Sequence, residues 1–119
     1  MSDFKYKSEY DVQTRRQEAT RILMEHPDRI PVICEKEPKS QLKQLNKTKY
    51  LVPRDFSASQ FNFLIRKNLD LSQESALFLM VNKKFSIVGS QTMSEIYANY
   101  KDKQDEFLYV HYTSELMWG

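Results

Sequence analysis

The sequence predicts a single α+β domain in which helices cover at least one face of a sheet. Helical and strand patterns follow one another in the order helices, two strands, helix, strand, helix and strand. The 119 residues are the usual size of one domain, long enough to bury a core without a metal or a disulfide. Aromatic residues make up 13% of the chain, which argues against disorder.

The N-terminal part of the chain is predicted to be helical. Asp11 can cap a helix that runs to about Met24, and Pro27 ends it. We expect one stripe of this helix, with Ile22 beside it, to consist of Val12, Arg16 (through its stem), Ala19 and Leu23. A short extra helix is expected before it, around Phe4, Tyr6 and Tyr10.

Two short strands are predicted next, at residues 29–35 and 49–53. Pro31 cannot donate a ladder hydrogen bond, so part of the edge of the first strand should be unpaired within the domain. The polar residues 36–48 between the strands are predicted to be a loop anchored by Leu42 and Leu45.

The clearest local signal is a capping box formed by Ser57 and Gln60. Helical spacing follows it at four apolar positions: Phe61, Leu64, Ile65 and Leu69. Residues 76–81 are predicted to be a buried strand, and 82–84 a turn.

A second capping box at Thr92 and Glu95 predicts the last helix. Residues 107–112 are apolar or aromatic on both faces, which is typical of a central strand. The remaining residues, 113–119, carry no turn or helix signal and predict a short exposed tail.

Known catalytic and cofactor motifs are missing from the sequence. The only glycines are Gly89 and Gly119, so neither a dinucleotide fingerprint nor a phosphate loop is present. Two histidines and one cysteine cannot assemble a typical zinc site. Cys34 and His111 are interpreted as buried structural side chains rather than as a nucleophile and a base. A lone cysteine also fits a reducing compartment.

The charge of the chain is divided unevenly along its length. The net charge is +2, too mild for a dedicated nucleic-acid binder. Residues 1–67 hold fourteen basic and nine acidic residues (+5), whereas residues 68–119 hold four and seven (−3). Such poles can steer acidic partners to one side, although an ordinary solvated surface explains them as well. Because the sequence has no apolar leader and no membrane helix, we expect a soluble intracellular protein.

Several segments resemble the ubiquitin-like autophagy modifiers, a family that includes the GABA-receptor-associated proteins and the microtubule-associated light chains. They are Tyr6-Lys7, Arg15-Arg16, His26-Pro-Asp-Arg-Ile-Pro-Val-Ile33 with Glu35-Lys36, Lys49-Tyr-Leu-Val-Pro53, residues 60–67, Ala76-Leu-Phe with Val81-Asn82, and Phe107-Leu-Tyr-Val110. They cover essentially the whole chain in order.

This resemblance implies a ubiquitin-like β-grasp with a four-stranded mixed sheet and two extra N-terminal helices. The implied parts are a helical extension at 1–26, a ubiquitin-like body at 27–112 and a conjugation tail at 113–119.

The resemblance also implies a modifier and not an enzyme. Its terminal Gly119 would be activated by an E1-like enzyme, passed to an E2-like cysteine, and joined to phosphatidylethanolamine on autophagic membranes. A glycine carboxylate has no Cβ to obstruct these transfers. A cysteine protease would trim or deconjugate the chain. The protein would be found in the cytoplasm and, once lipidated, on the autophagosome membrane. No cofactor is implied beyond that covalent lipid.

The resemblance further implies a groove for cargo-receptor peptides of the pattern aromatic-x-x-aliphatic, which would add a strand at residues 49–53. The aromatic pocket would consist of Glu18, Ile22, Pro31, Ile33, Lys49, Leu51 and Phe107. The aliphatic pocket would consist of Tyr50, Val52, Pro53, Phe56, Phe61, Leu64 and Ile65. For Val52, Leu64 and Ile65, plain core packing is an equally good explanation. Lys47, Lys49 and, peripherally, Arg29 would meet acidic residues beside the motif.

A second family surface, which holds helical ubiquitin-interacting motifs, would use Leu77, Phe78, Leu79 and Met80, although a buried sheet explains these residues more simply. The sequence departs from the family at several places. Asn68 replaces a common basic residue and Trp118 a common phenylalanine or tyrosine. The turn after Asn82 lacks the usual proline pair, and both this turn and the one before Phe107 are about one residue longer.

An alternative function is a non-conjugated adaptor that binds cytoskeleton or acidic membrane through its basic N-terminal half. Its candidate residues are Lys5, Lys7, Arg15, Arg16 and Arg21, for which solvated helix faces are the simpler explanation.

Overall fold

The computed structural model describes residues 4–115, which form helices on both faces of a mixed sheet. The helices are α1 (Lys5–Glu9), α2 (Val12–Glu25), α3 (Ala58–Leu69) and α4 (Met93–Tyr100). The strands are β1 (Arg29–Lys36), β2 (Lys49–Pro53), β3 (Phe78–Val81), β4 (Phe85–Ser86) and β5 (Leu108–Thr113). The predicted α+β class is therefore confirmed.

The described sheet has five strands in the order β2-β1-β5-β3-β4, with β1 and β5 parallel and the other pairs antiparallel. The expected number of four was wrong because β4 is only two residues long and leaves no readable pattern. It follows a tight turn in which Asn82 and Lys83 adopt positive φ angles of 53° and 61°. Two successive positive φ values are typical of the turns that join β-hairpins.

Strand β5 lies at the centre of the sheet, and all six of its residues are buried. Leu108, Val110 and Tyr112 pack into the larger core beneath α3 and α4. Tyr109, with Phe107 just before the strand, packs into a smaller core with Ala19 and Ile22 of α2. The prediction of a central strand that is apolar on both faces is confirmed.

Capping fixes α3 as the sequence predicts. The hydroxyl of Ser57 accepts from the backbone N–H of Gln60 at 3.1 Å, and the Gln60 side chain accepts from the Ser57 N–H at 2.8 Å. Of its predicted stripe, Phe61, Ile65 and Leu69 are buried, and Leu64 packs partly buried against the core. In α4 the Thr92 half of the predicted box forms, with the hydroxyl accepting from Glu95 N–H at 3.1 Å.

The predicted stripe of α2 was wrong in register. Asp11 caps the helix as expected, but Val12 is 43% exposed and Arg16 is also exposed. The buried face consists of Arg15, Ala19 and Ile22. A charged residue could not be expected there from its neighbours in sequence, because the carboxylate that accepts it comes from residue 105.

The expected extra helix is α1, which is held by a side chain far away in sequence. The Glu35 carboxylate accepts from the backbone N–H groups of Lys5 and Tyr6 at 2.8 and 3.0 Å. Phe4, at the N-cap, has no side-chain capping bond, so Glu35 satisfies donors that the helix leaves open. Phe4 in turn stacks on His111, with ring centroids 3.9 Å apart.

Cys34 is buried in β1, and desolvation raises the pKa of its thiol far above the ordinary value. Its interpretation as a packing residue agrees with this position. His111 is also buried, at 3% exposure. The predicted loop is present, but it starts at residue 37, because β1 runs to Lys36, one residue beyond the predicted strand end; Leu45 is buried and Leu42 packs against the same core.

Candidate functional site

Strand β2 is an edge strand, since within the described sheet only β1 pairs with it. Beyond its last register pair, the Cys34 N–H donates to the Thr48 carbonyl at 2.8 Å. Hydrogen-bonded pairs alternate along an antiparallel ladder, so Lys49 and Leu51 fall at the non-bonded positions. Their backbone N–H and C=O groups therefore point away from β1, out of the sheet.

Pro31 lies opposite Leu51, which directs its ring nitrogen toward the β5 side of the strand. Pairing with β5 begins only at the next residue, where Val32 meets Leu108. The expected gap in the pairing of this strand is therefore present, and it leaves no buried donor without a partner.

Residues predicted for the aromatic pocket cluster between α2 and β2. Ile22, Ile33 and Phe107 are fully buried and form its floor. Leu51 packs partly buried against this cluster, and Pro31 is buried opposite Leu51 on the neighbouring strand. The structure thus brings these predicted residues together.

An ion pair spans the gap between α2 and β2 at this pocket. The Lys49 ammonium donates to the Glu18 carboxylate, which also accepts from Arg21 at 2.8 Å. Hydrogen bonds from Arg21 and Lys49 lower the pKa of Glu18 to about 2. The Lys49 side chain remains 40% exposed, so its ammonium is accessible to a competing carboxylate.

Most residues predicted for the aliphatic pocket lie on the opposite face of the strand, in or against the larger core. Val52, Phe61 and Ile65 are at most 1% exposed, which agrees with core packing for Val52 and Ile65. Tyr50 packs edge-to-face on Phe61, with ring centroids 6.1 Å apart. Phe56 and Leu64 pack partly buried against this core, whereas Pro53, at the end of β2, is partly exposed and shares the parity of Leu51 along the strand.

The side chains of β2 alternate between these two sites. Tyr50 and Val52 join the larger core, whereas Leu51 joins the smaller one beneath α2. One edge strand therefore separates two apolar sites and offers backbone hydrogen bonds between them.

Polar side chains at this edge have partners that the sequence did not indicate. Arg29 donates from its guanidinium to the outward carbonyl of Leu51 at 3.2 Å. Lys47 lies over the Tyr50 ring, 5.2 Å from its centroid. Asn68 donates to the Tyr50 hydroxyl at 3.3 Å, and that hydroxyl donates to the Lys47 carbonyl at 2.7 Å. Asn68 therefore orients a residue of the aliphatic pocket.

A buried network behind the aromatic pocket was also missed. Asp105 is fully buried and accepts from Arg15 Nε at 2.8 Å, from the Phe107 N–H at 2.9 Å and from the Tyr109 hydroxyl. It fixes Phe107, the pocket floor, to α2. The burial of Asp105 could not be predicted from its neighbours in sequence, because it lies in a charged segment that is typical of a solvent-exposed turn.

The proposed second surface is only half exposed. Leu77 and Leu79 are buried in the larger core, whereas Phe78 and Met80 are half-buried on the other side of β3. The predicted strand at 76–81 begins only at Phe78, and its burial alternates, so the expectation of a uniformly buried strand was wrong.

The basic residues of the alternative function are largely engaged within the molecule. Arg15 is buried, and Lys7 pairs with Asp102 at 2.7 Å. Arg21 pairs with Glu18 and Glu25, and Arg16 donates to the Gln104 carbonyl at 2.8 Å. This arrangement does not favour a basic docking face on the N-terminal helices.

The predicted conjugation residue Gly119 and the departure at Trp118 lie outside the described residues. Strand β5 continues to Thr113, one residue beyond the expected body boundary. Within residues 4–115, no helix has the length and apolarity needed to cross a bilayer. The same residues hold no group of three or more His, Cys, Asp or Glu side chains suited to a metal ion.

Comparison with known proteins gives two findings. The family model described as autophagy protein Atg8, ubiquitin-like, matches residues 14–119. Among solved structures, the crystal structure of Trypanosoma brucei ATG8 is 40% identical and superposes with a TM-score of 0.89. That match covers 99% of this chain and 100% of the other.

Proposed function

This chain belongs to the Atg8 family of ubiquitin-like autophagy proteins, and from this premise we propose that it is a lipid-conjugated modifier that recruits peptides to the edge of β2. The ubiquitin-like fold expected from the sequence is confirmed. Conjugation through Gly119 and recognition of an aromatic-x-x-aliphatic motif are the specific parts of the proposal.

The unpaired edge of β2 is the observation that carries the recruiting role. The N–H and C=O groups of Lys49 and Leu51 point outward, as strand addition requires. A peptide strand at this edge would place alternate side chains toward opposite faces. Its aromatic side chain would enter the pocket floored by Phe107, and its aliphatic side chain would pack on Leu64.

Existing contacts at the edge mimic those that the peptide would make. The outward carbonyl of Leu51 already accepts a hydrogen bond from Arg29, and the ammonium of Lys49 already donates to Glu18. A peptide N–H would replace Arg29, and an acidic residue beside the motif would compete with Glu18. Burial of each anchor contributes about 1.5–3 kcal/mol, so ordering costs leave a modest affinity.

Calorimetry with a synthetic peptide of the form acidic-Trp-x-x-Leu tests the recruiting role. We expect Lys49→Ala combined with Leu51→Ala to weaken binding by more than about 2 kcal/mol, because both the charge contact and the pocket wall are lost. Lys39→Ala combined with Val88→Ala removes one exposed lysine and one exposed apolar residue elsewhere, and is the matched control. Unchanged binding in the first variant would refute the assignment of the groove.

The conjugation step proposed for Gly119 is an acyl transfer. The carboxylate first attacks the α-phosphate of ATP on an E1-like enzyme, which forms an acyl adenylate and releases pyrophosphate. Cysteine thiols then displace AMP and carry the acyl group to a thioester on the E2-like enzyme. The amine of phosphatidylethanolamine attacks the thioester carbonyl, so that a C–N bond forms, the C–S bond breaks and the cysteine leaves as a thiol. Glycine favours this attack because it has no Cβ beside the carbonyl.

The cellular consequences belong to the same proposal. The chain would be cytoplasmic before conjugation and bound to the autophagosome membrane after it, since the acyl chains supply the anchor. A cysteine protease would expose or release Gly119 and would have to accept Trp118 beside it. The partners would be cargo receptors with the short motif.

Reconstitution with E1-like and E2-like enzymes and phosphatidylethanolamine vesicles tests conjugation. Mass spectrometry should show the lipid on the terminal carboxylate of the wild-type chain and none after Gly119→Ala or deletion of Gly119. Circular dichroism checks that both variants stay folded. Retained lipidation in either variant would contradict the proposal, and the peptide titration would be unaffected by that result.

A further inference from the structure

A second groove lies away from β2, where the β3–β4 turn faces the loop between α4 and β5. It measures about 430 Å³, and its floor includes Phe4, Met80, Tyr109 and His111. Its described walls carry four lysines and one acidic residue: Lys7, Lys83, Lys101, Lys103 and Asp102. We call these nine residues the basic groove.

The lysines of the C-terminal part of the sequence are concentrated around this groove. Residues 68–119 have a net charge of −3, from four basic and seven acidic residues. All four basic residues stand in the two facing segments: Lys83, Lys84, Lys101 and Lys103. Two neighbouring carboxylates offset part of this charge, since Asp102 pairs with Lys7 at 2.7 Å and Glu106 with Lys101 at 2.9 Å. Lys84 and Lys103 are exposed.

Both walls are held by local structure. The β3–β4 turn has two successive positive φ angles, at Asn82 and Lys83. In the opposite wall, the Asp102 carboxylate accepts from the backbone N–H groups of Gln104 and Asp105 at 2.7 and 3.1 Å. The lysines are therefore presented by ordered turns.

An aromatic residue beside the groove indicates what covers it. Phe85 is 48% exposed and packs on Tyr100, with ring centroids 5.6 Å apart; Tyr100 lines the same cavity beside the nine residues named above. Lysines beside an exposed aromatic side chain are typical of surfaces that lie at a bilayer interface, where the ring enters the headgroup layer and the ammonium groups meet phosphates.

We propose that the basic groove, with Lys84 and Phe85 at its rim, binds the phosphate headgroups of acidic phospholipids at a membrane surface. Because each lysine near an anionic membrane surface adds to the electrostatic attraction, the affinity rises with the number of lysines at the surface. This surface lies apart from the peptide edge at β2. It takes Phe4 and Lys7 from the N-terminal segment and shares Met80 with the predicted second surface. The proposed contact does not require a covalent lipid, so it can be tested independently of conjugation at Gly119.

Vesicle co-sedimentation of the unconjugated chain tests this proposal. We compare vesicles of phosphatidylcholine alone with vesicles that also contain phosphatidylserine. Partition onto the acidic vesicles should fall about 25-fold in the Lys84→Ala, Lys103→Ala double variant, that is about fivefold for each lysine. The matched control is Lys39→Ala with Lys43→Ala, which removes two exposed lysines from the loop at 36–48 and should change little. Circular dichroism verifies the fold of both.

Two further measurements test whether the contact is electrostatic and whether it requires a membrane surface rather than free phosphate. Raising the salt from about 0.05 to about 0.5 M should release the protein, because it screens the headgroups. Inorganic phosphate should not bind detectably in calorimetry. The proposal is overturned if acidic vesicles bind no better than neutral ones, if both double variants lose binding equally, or if free phosphate binds with the same dependence on Lys84 and Lys103.

Discussion

Replacing Asp105 by asparagine should destabilise the protein more than any surface substitution. Asp105 is fully buried, and its carboxylate accepts from Arg15, Phe107 and Tyr109. The neutral amide leaves the guanidinium of Arg15, itself 7% exposed, without its counter-charge. Removing one partner of a buried ion pair costs about 3–5 kcal/mol. Because the amide oxygen can still accept from the Phe107 N–H, we expect about 3 kcal/mol.

Urea unfolding at neutral pH, followed by circular dichroism, measures this loss. A double-mutant cycle with Arg15→Met separates the pair from general packing, because the variant that lacks both charges should recover part of the stability. Asp28→Asn replaces an exposed carboxylate and serves as the control, with an expected change within about 0.5 kcal/mol.

The peptide groove should respond to the same substitution. Asp105 fixes the backbone of Phe107, and Phe107 packs with Ile22 and Ile33 at the proposed aromatic pocket. Peptide affinity should therefore fall although residue 105 touches no peptide. A loss of stability below about 1 kcal/mol, or additive effects of Arg15→Met and Asp105→Asn, would refute the reasoning that this buried pair joins α2 to the body.

Three other predictions follow from single contacts. The pKa of Glu18 is lowered from 4.5 to about 2 by Arg21 and Lys49, so its extra stability is present above about pH 4.5 and is lost as the pH falls toward 2. The difference between wild type and Glu18→Gln in urea unfolding should be about 1 kcal/mol at neutral pH, since solvent screens this partly exposed group, and should vanish near pH 2; a difference independent of pH would contradict it. Ser57→Ala should cost about 1 kcal/mol by removing the α3 cap, whereas Ser57→Asn, which can cap, should cost much less. The Cys34 thiol, buried and with a raised pKa, should resist a thiol reagent at pH 8 until urea unfolds the chain, and rapid labelling of the native state would show the burial to be wrong.

Elements governed by local chemistry were predictable from the sequence. The capping box at Ser57 and the helical spacing behind it give α3 its start and its buried face. The two-sided apolar pattern of residues 107–112 gives β5 its central place, because such a strand must be covered on both faces. The period-two alternation of a strand is enough to predict that the side chains of β2 lie on two different faces of the sheet.

Features that depend on partners distant in sequence were not predictable. Arg15 belongs to the buried face of α2 only because Asp105, ninety residues later, accepts it. Glu35 caps α1 from β1, and Arg29 reaches the outward carbonyl of Leu51. The residues of the groove itself came from resemblance to a family. Composition and periodicity alone could not tell the pocket rim from the core.

The parallel pairing of β1 with β5 has a mechanical consequence. Five register pairs join the two strands, from Val32 with Leu108 to Lys36 with Tyr112. If the proposed function holds, a peptide held at β2 would pull on β1, whereas a conjugated chain end would pull on β5. The component of such tension that acts along the strands would load the hydrogen bonds between β1 and β5 together, in shear, rather than one after another. Under the proposed function, the sheet would transmit force between the conjugated chain end and a peptide held at β2.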